Sequence, residues 1–313
     1  MIKDPLTSLP RVTVLMALYQ GERFVTPQLD SIAGQTGVDW QLIVGDDQST
    51  DDGPRLVREF SAKYPGQVKF QLAPGNGAAE NFRDLLYAAQ IGEYVALADQ
   101  DDVWHPEKLI RAMTALATQP AERPAIYCSR VTTCDEALAP LSLSRLPRRP
   151  PSFRHALVQN MVQGNTLLMN PAALALMRSA GRLAGPVVMH DWWIYQMVSG
   201  AGGTVIYDPW PSLNYRQHRG NVVGGNTGAR SRLASLTRML RGQHAEWSRQ
   251  NLAALSACAA LLTPENRRLL EHFRSLIEGS PTERLSAMRQ ATFYRQGRIS
   301  QAALWMAAAL GRV

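Results

Sequence analysis

The chain is predicted to be an α/β protein, with a mostly parallel sheet flanked by helices and a helical C-terminal extension. Three observations lead there. Short apolar runs alternate with helix-period stripes through the first hundred or so residues, the pattern of βαβ units. Two of those runs end in acidic turns, Gly45-Asp46-Asp47 and Ala98-Asp99-Gln100-Asp101-Asp102, at the strand ends where open α/β sheets bind ligands. Beyond residue 226 only helical stripes remain, carrying 13 arginines, no lysine and 5 glutamates.

Residues 12–18 read as the first strand, and Phe24, Leu29, Ile32 and Ala33 then mark one face of a helix. Residues 40–45 form the second strand, followed by Leu56, Val57 and Phe60 at helical spacing. Residues 68–72 are the third strand, with Phe82, Leu85, Leu86 and Ala89 striping the next helix. The buried run 94–98 is the fourth, and Pro106 marks where a helix can begin. Right-handed crossovers would put Asp46, Asp47 and Asp99 to Asp102 on one rim. The pattern then loosens. Residues 125–131 and 166–169 read as strands, and Asn170-Pro171 opens a helix. Residues 190–198 read as a helix, 204–207 and 213–216 as strands, and 138–153, with four prolines, as a mobile loop. A domain boundary is expected near 226, dividing a body of 1–225 from an extension of 226–313.

At 313 residues and 45% apolar content, the chain has ample material for a core. The N-terminal stretch lacks the apolar segment of a secretory signal, and no run reaches membrane-spanning length. Cys128, Cys134 and Cys258 are odd in number and lack metal-ligand spacing, so reduced thiols in the cytoplasm are expected. The net charge is +7, and residues 226–313 alone sum to +8, so an anionic partner is expected for the tail.

Four stretches carry the chemistry. Three carboxylates in Asp99-Gln100-Asp101-Asp102 repel one another unless a cation neutralises them, and a hard divalent ion shared with substrate phosphates would do so. Taken alone, an acidic turn capping a helix explains them as well. In Gly45-Asp46-Asp47-Gln48-Ser49-Thr50, capping explains Ser49 or Thr50, while the paired aspartates can accept hydrogen bonds from a ribose or a base. In His190-Asp191-Trp192-Trp193 an ionised Asp191 can serve as a general base or simply complement the helix dipole. In Tyr215-Arg216-Gln217-His218-Arg219, an imidazole able to bind metal lies beside arginines suited to diphosphate. The first turn, Tyr19-Gln20-Gly21-Glu22, is neither a dinucleotide fingerprint nor a P-loop.

In this order and spacing, the four stretches, together with residues 14–22, resemble the family-2 glycosyltransferases, inverting enzymes of the GT-A fold. The resemblance covers residues 11 to about 225. It implies a nucleotide pocket lined by Ala17, Tyr19 and Glu22, with Asp47 or Asp46 meeting the base. Asp99 would face the ribose or sugar, and Asp101, with Asp99 and His218, would hold Mg²⁺ or Mn²⁺. Asp191 matches the general base, and Gln163-Gly164-Asn165-Thr166 resembles a motif near the acceptor. The Q-x-x-R-W motif of processive synthases is absent, which favours addition of a single sugar.

The resemblance further implies a nucleotide-sugar donor, dTDP-rhamnose-like or UDP-linked, and a glycan or lipid-linked acceptor of surface-polysaccharide or lipopolysaccharide assembly. A sugar nucleotidyltransferase would need a Gly-rich basic loop after the first strand, which is missing. A non-catalytic basic protein binding membrane or nucleic acid is the other alternative. Few aromatics interleave with the arginines, so no nucleic acid is expected. Three amphipathic helices, 246–262, 265–278 and 282–294, precede an apolar segment 299–310 flanked by Arg295, Arg298 and Arg312. That segment is expected either to dock on an anionic membrane at the inner face of the bacterial cytoplasmic membrane or to pack on the body.

Overall fold

In the computed structural model, which describes residues 9–218 and 243–313, four parallel strands open the sheet. They are β1 (Arg11–Leu18), β2 (Asp39–Asp46), β3 (Val68–Leu72) and β4 (Tyr94–Ala98). Their crossovers are α1 (Val25–Ala33), α2 (Gly53–Lys63) and α3 (Ala78–Ala88). The sheet continues through β5 (Val103–Trp104), β6 (Ala125–Cys134), β7 (Pro140–Leu143), β8 (Leu168–Met169) and β9 (Thr204–Arg216). Its order is β3-β2-β1-β4-β8-β6-β9-β5, with β7 beside β6. The remaining helices of this part are α4 (Lys108–Leu116), α5 (Phe153–Ala156), α6 (Pro171–Leu183) and α7 (His190–Gly200).

Period-two alternation along the strands feeds two separate cores. Val14, Met16, Leu42, Val44, Ala96 and Ala98 point to one face, where they meet Leu29, Val57 and Leu109. Leu15, Ile43, Val95 and Leu97 point to the other, against Phe82 and Leu85 of α3. Asn170 starts α6 by accepting from the Ala173 N–H, with Pro171 in the first turn, where a missing N–H costs nothing.

Helix α7 is apolar nearly all round, with every residue from Trp192 to Gly200 buried, as a helix enclosed on all sides must be. The helices described after β9 are α8 (Gln243–Ala257), α9 (Pro264–Glu278), α10 (Pro281–Ala291) and α11 (Arg298–Leu310). Thr263 caps α9 by accepting from Asn266, and Ser280 with Glu283 forms a capping box on α10. Leu252, Leu255, Leu269, Phe273, Met288 and Leu304 of these helices lie in the same core cluster as Leu15, Phe82 and Trp193. The C-terminal helices therefore pack on the body. Residues 219–242, which contain Arg219 and the expected boundary at 226, lie outside the described residues.

Two sequence expectations are revised. The strands read at 204–207 and 213–216 are one long β9, whose Pro209 and Pro211 sit where the pairing with β6 shifts register. Proline interrupts a ladder without ending the strand when an irregularity absorbs its missing N–H. The stretch read as a mobile loop contains β7 and is fastened on both sides. Arg130 donates to the Ser144 carbonyl at 2.6 Å, and Gln296 accepts from the Arg148 and Arg149 N–H groups at 2.8 and 2.9 Å. Cys128, Cys134 and Cys258 are buried and not disulfide-linked. No helix among the described residues is long and apolar enough to cross a membrane.

A buried polar chain ties the extension to the body. His155 Nδ1 lies 3.0 Å from the Tyr195 hydroxyl, which donates to the Ser152 carbonyl at 3.1 Å. Ser152 Oγ in turn meets the Tyr294 hydroxyl at 2.8 Å. Burial pushes the His155 pKa down to about 4, and Arg295 and Arg149 act in the same direction against the Gln159 side chain, which favours the charged ring. The unfolded chain takes up a proton near pH 6.5 that the folded chain refuses until about pH 4. Stability contributed by neutral His155 is thus complete above pH 6.5 and falls by about 2 kcal/mol on going to pH 5. Denaturant titrations at pH 7.5 and 5 should show that loss in the wild type and a smaller one in His155→Gln.

Candidate active site

Three turns meet at the carboxyl ends of β1, β2 and β4. The turn after β1 is held to the acidic turn after β4 by one side chain. Gln100 Oε1 accepts from the Tyr19 N–H and Gln100 Nε2 donates to the Tyr19 carbonyl, both at 2.8 Å. A Cβ on Gly21 would lie 2.6 Å from Gln100 Oε1, so only glycine leaves this pairing room. The same turn is laced to the one after β2. Gln20, at φ 50°, takes Ser49 Oγ at 3.0 Å and Thr50 Oγ1 at 3.0 Å, and the Glu22 N–H donates to Asp51 at 2.8 Å. Tyr19 is exposed at this junction.

Asp46 and Asp47 are both buried. Asp46 accepts from the Ser49 N–H at 3.3 Å, a local turn bond. Asp47 Oδ2 accepts from the Gly77 N–H at 2.8 Å, while its Oδ1 is buried with no partner. A buried acceptor left unpaired costs folding energy and marks a place for a donor from a ligand.

In the turn after β4, burial and repulsion from Asp101 and Asp191 push the Asp99 pKa up to about 7. Asp102 is fully buried, and burial plus its acidic neighbours hold its carboxyl well above the usual range. It accepts from Asn165 Nδ2 at 2.6 Å and from the Arg216 N–H at 3.3 Å. Asp101 Oδ2 lies 2.6 Å from His218 Nε2. Arg216 donates to the Asp101 carbonyl at 2.9 Å, and its guanidinium and the His218 ring both rest on Phe24, at 4.7 and 4.8 Å.

The facing wall is the first turn of α7 with residues 163–166. The Asp191 carboxylate accepts from the Trp192 N–H at 2.6 Å, and its charge is felt at Asp99. His190 stacks on Phe82 with ring centres 4.0 Å apart, and its Nε2 is buried without a partner. A Cβ on Gly164 would stand 2.6 Å from that nitrogen and 3.5 Å from the Asp191 Cβ, so the backbone of 163–166 lies directly against this turn.

The model of the glycosyl transferase family 2 domain matches residues 13–180. The chain belongs to this family. It is a glycosyltransferase of the GT-A fold, which sets aside a nucleotidyltransferase and a non-catalytic binding protein. It is 28% identical over 224 residues to the dTDP-rhamnosyl transferase RfbG of Shigella flexneri, across 67% of this chain and 74% of that protein. It is 30% identical over 214 residues to an uncharacterized protein of Mycobacterium tuberculosis, across 66% of this chain and 59% of that one. The mannosyltransferase PcManGT from Pyrobaculum calidifontis, solved with GDP-Man and Mn²⁺, shares the fold over 98% of this chain and 88% of its own. Its TM-score is 0.52 and its identity 20%.

Of the residues expected at the site of this family-2 enzyme, Ala17 and Asp46 lie at the carboxyl ends of β1 and β2, and Tyr19, Glu22 and Asp47 in the turns that follow. Asp99 and Asp101 lie in the acidic turn, His218 after β9 meets Asp101, and Asp191 lies in the first turn of α7. Among the described residues no three His, Cys, Asp or Glu side chains are arranged as a ready metal site. Asp101 with His218 is a pair.

Sequence reasoning missed the Gln100 clamp, the Phe24 platform and Lys108. Lys108 is fully buried beneath the acidic turn, its Nζ 4.0 Å from the Trp104 ring centre and without a hydrogen bond. Burial lowers its pKa to about 7 against the pull of Asp102. Nothing local in Pro106-Glu107-Lys108 signals this. Gln100→Ala removes two hydrogen bonds and should raise the donor KM about tenfold, with kcat less affected. Steady-state kinetics with donor as the varied substrate checks it, and Gly21→Ala, which crowds the same amide, should behave alike.

Proposed function

We propose that the chain moves one sugar from a nucleotide-diphospho-sugar, dTDP-rhamnose-like or UDP-linked, to a hydroxyl of a glycan or lipid-linked acceptor, with inversion. The observation that supports this reading is that Asn165 donates to Asp102 of the acidic turn at 2.6 Å while the neighbouring Gly164 lies directly against Asp191. Asp191 as the base would take the acceptor hydroxyl's proton while the new bond forms at the anomeric carbon. Attack from that side, opposite the leaving diphosphate, inverts the centre in one step. Trp192 and Trp193, which follow Asp191 in α7, are both buried. The unpaired Asp47 Oδ1 suits a base N–H, and the Tyr19 ring, beside Ala17 and Glu22, a nucleotide face.

The donor set fits a hard divalent ion, Mg²⁺ or Mn²⁺. Asp101 is paired with an imidazole, and Asp99 and Asp102 crowd it with like charge. Asp101, with Asp99 and His218, would hold the ion. When bound, it would act as a Lewis acid toward the diphosphate. The name of RfbG supports a dTDP-linked donor, and the Mn²⁺ complex of PcManGT supports metal use. Action at the cytoplasmic face of a bacterial membrane, in lipopolysaccharide or related glycan assembly, completes the reading. A thermal-shift panel of dTDP-, UDP- and GDP-sugars with and without Mn²⁺ tests it. The true donor at about 100 times its Kd stabilises by about 2.7 kcal/mol. A flat response across the panel refutes the donor assignment.

A further inference from the structure

We propose that residues 140–151, together with the outward face of α11, form the surface by which this glycosyltransferase docks on an anionic lipid bilayer. The proposal rests on the reading of a lipid-linked acceptor and moves membrane attachment away from the C-terminal helices as a whole. Those helices spend most of their apolar surface inward. On α11, Ala303, Leu304, Ala307 and Ala308 are buried in the core shared with the sheet. What remains outside is Ile299, Met306 and Leu310, which share one face at spacings of seven and four residues. That stripe alone is narrow.

Residues 140–151 widen it. Leu141 is 59% exposed, Leu143 45% and Leu146 47%, and the first two share one face of the edge strand β7. This strap lies beside the start of α11. Gln296, two residues before that helix, accepts from the N–H groups of Arg148 and Arg149 and donates to the Arg149 carbonyl at 3.0 Å. Tyr294 donates to the Pro150 carbonyl. Fastened backbone with six leucine, isoleucine and methionine side chains in water is unusual for a surface with no partner.

The charge within these two segments has one sign. From residue 137 to 190 there is no acidic residue and there are six arginines, and from 284 to 313 none and five. Arg145, Arg148, Arg298 and Arg312 are exposed within or beside the patch. Apolar side chains ringed by arginine match the boundary between anionic headgroups and acyl chains. The patch also borders the acceptor wall. The Gln296 N–H donates to Gln159 Oε1 at 2.9 Å, and residue 159 leads within four residues to Gln163-Gly164-Asn165-Thr166 beside Asp191. A lipid-borne hydroxyl held at this surface is delivered toward Asp191.

The test is flotation of the full chain with phosphatidylcholine vesicles, with and without phosphatidylglycerol. The wild type should float with the anionic vesicles, stay down with the neutral ones, and be released by salt. Leu141→Ser/Leu143→Ser/Leu146→Ser should lower the floated fraction about tenfold, and so should Arg145→Glu/Arg148→Glu, whose side chains stand in solvent and leave the fold alone. Equal flotation of these variants and the wild type overturns the proposal, as does equal binding to both vesicle types. Release from the vesicles by duplex DNA at constant ionic strength also counts against it, because it assigns the patch to nucleic acid. Flotation needs no turnover, so failure of sugar transfer would sink the proposed function while leaving this result to stand or fall by itself.

Discussion

Asp191→Asn lowers sugar transfer by about 10³-fold while donor binding stays close to wild type. The substitution is a clean one for structural reasons. An asparagine keeps the oxygen that accepts from the Trp192 N–H, so the first turn of α7 retains its start. It removes only the capacity to take a proton and a negative charge facing Asp99. Because binding of the nucleotide is assigned to the opposite turns, the loss should fall on kcat. Nucleotide release with acceptor present gives kcat, and thermal shift with the donor gives binding. Near wild-type turnover in this variant would remove Asp191 from the reaction. A parallel loss of donor binding would make it a donor contact.

Asp101→Ala abolishes metal-dependent donor binding, with the affinity for a nucleoside diphosphate falling by about 100-fold or more. Partners that merely orient a metal ligand are worth about 10–100-fold, so loss of a ligand should exceed them. His218 contacts Asp101 at 2.6 Å and should show a smaller version of the same defect as His218→Ala. Calorimetric titration with nucleotide, with and without Mn²⁺ and after chelation, separates the cases. Wild type should lose affinity on chelation and Asp101→Ala should have none left to lose. A wild-type affinity that ignores chelator would refute the metal assignment and leave the acidic turn to bind sugar hydroxyls.

Much of this site was legible in the sequence because its acidic turns are contiguous and sit where strand periodicity breaks off. Asp46, Asp47, Asp99 and Asp101 needed only a parallel sheet to reach one rim. Asp191 was readable as the first turn of a helix, but its packing against Gly164 depends on how α7 is buried. The pairings that hold the turns together were not legible. Gln100 meets Tyr19 across 81 positions, and Arg216 meets Asp101 across 115, through side-chain conformations that no local pattern encodes. Lys108 was hidden for the same reason, since a lysine before a helical stripe ordinarily reads as solvated. The destination of the C-terminal stripes was ambiguous in principle. Leucines at helical spacing look alike whether they meet lipid or the back of α7.

That last feature bears on how such enzymes can be recombined. Because Trp193 and Leu15 lie in one apolar cluster with Phe273 and Leu304, the tail cannot be exchanged for a relative's like a cartridge. A chimera joined between α7 and α8 brings together side chains selected in different backgrounds, so overlaps and gaps are expected at the seam. Grafts that carry α7 along with everything after it should express better than grafts cut behind it, and acceptor preference would then be inherited with the scaffold.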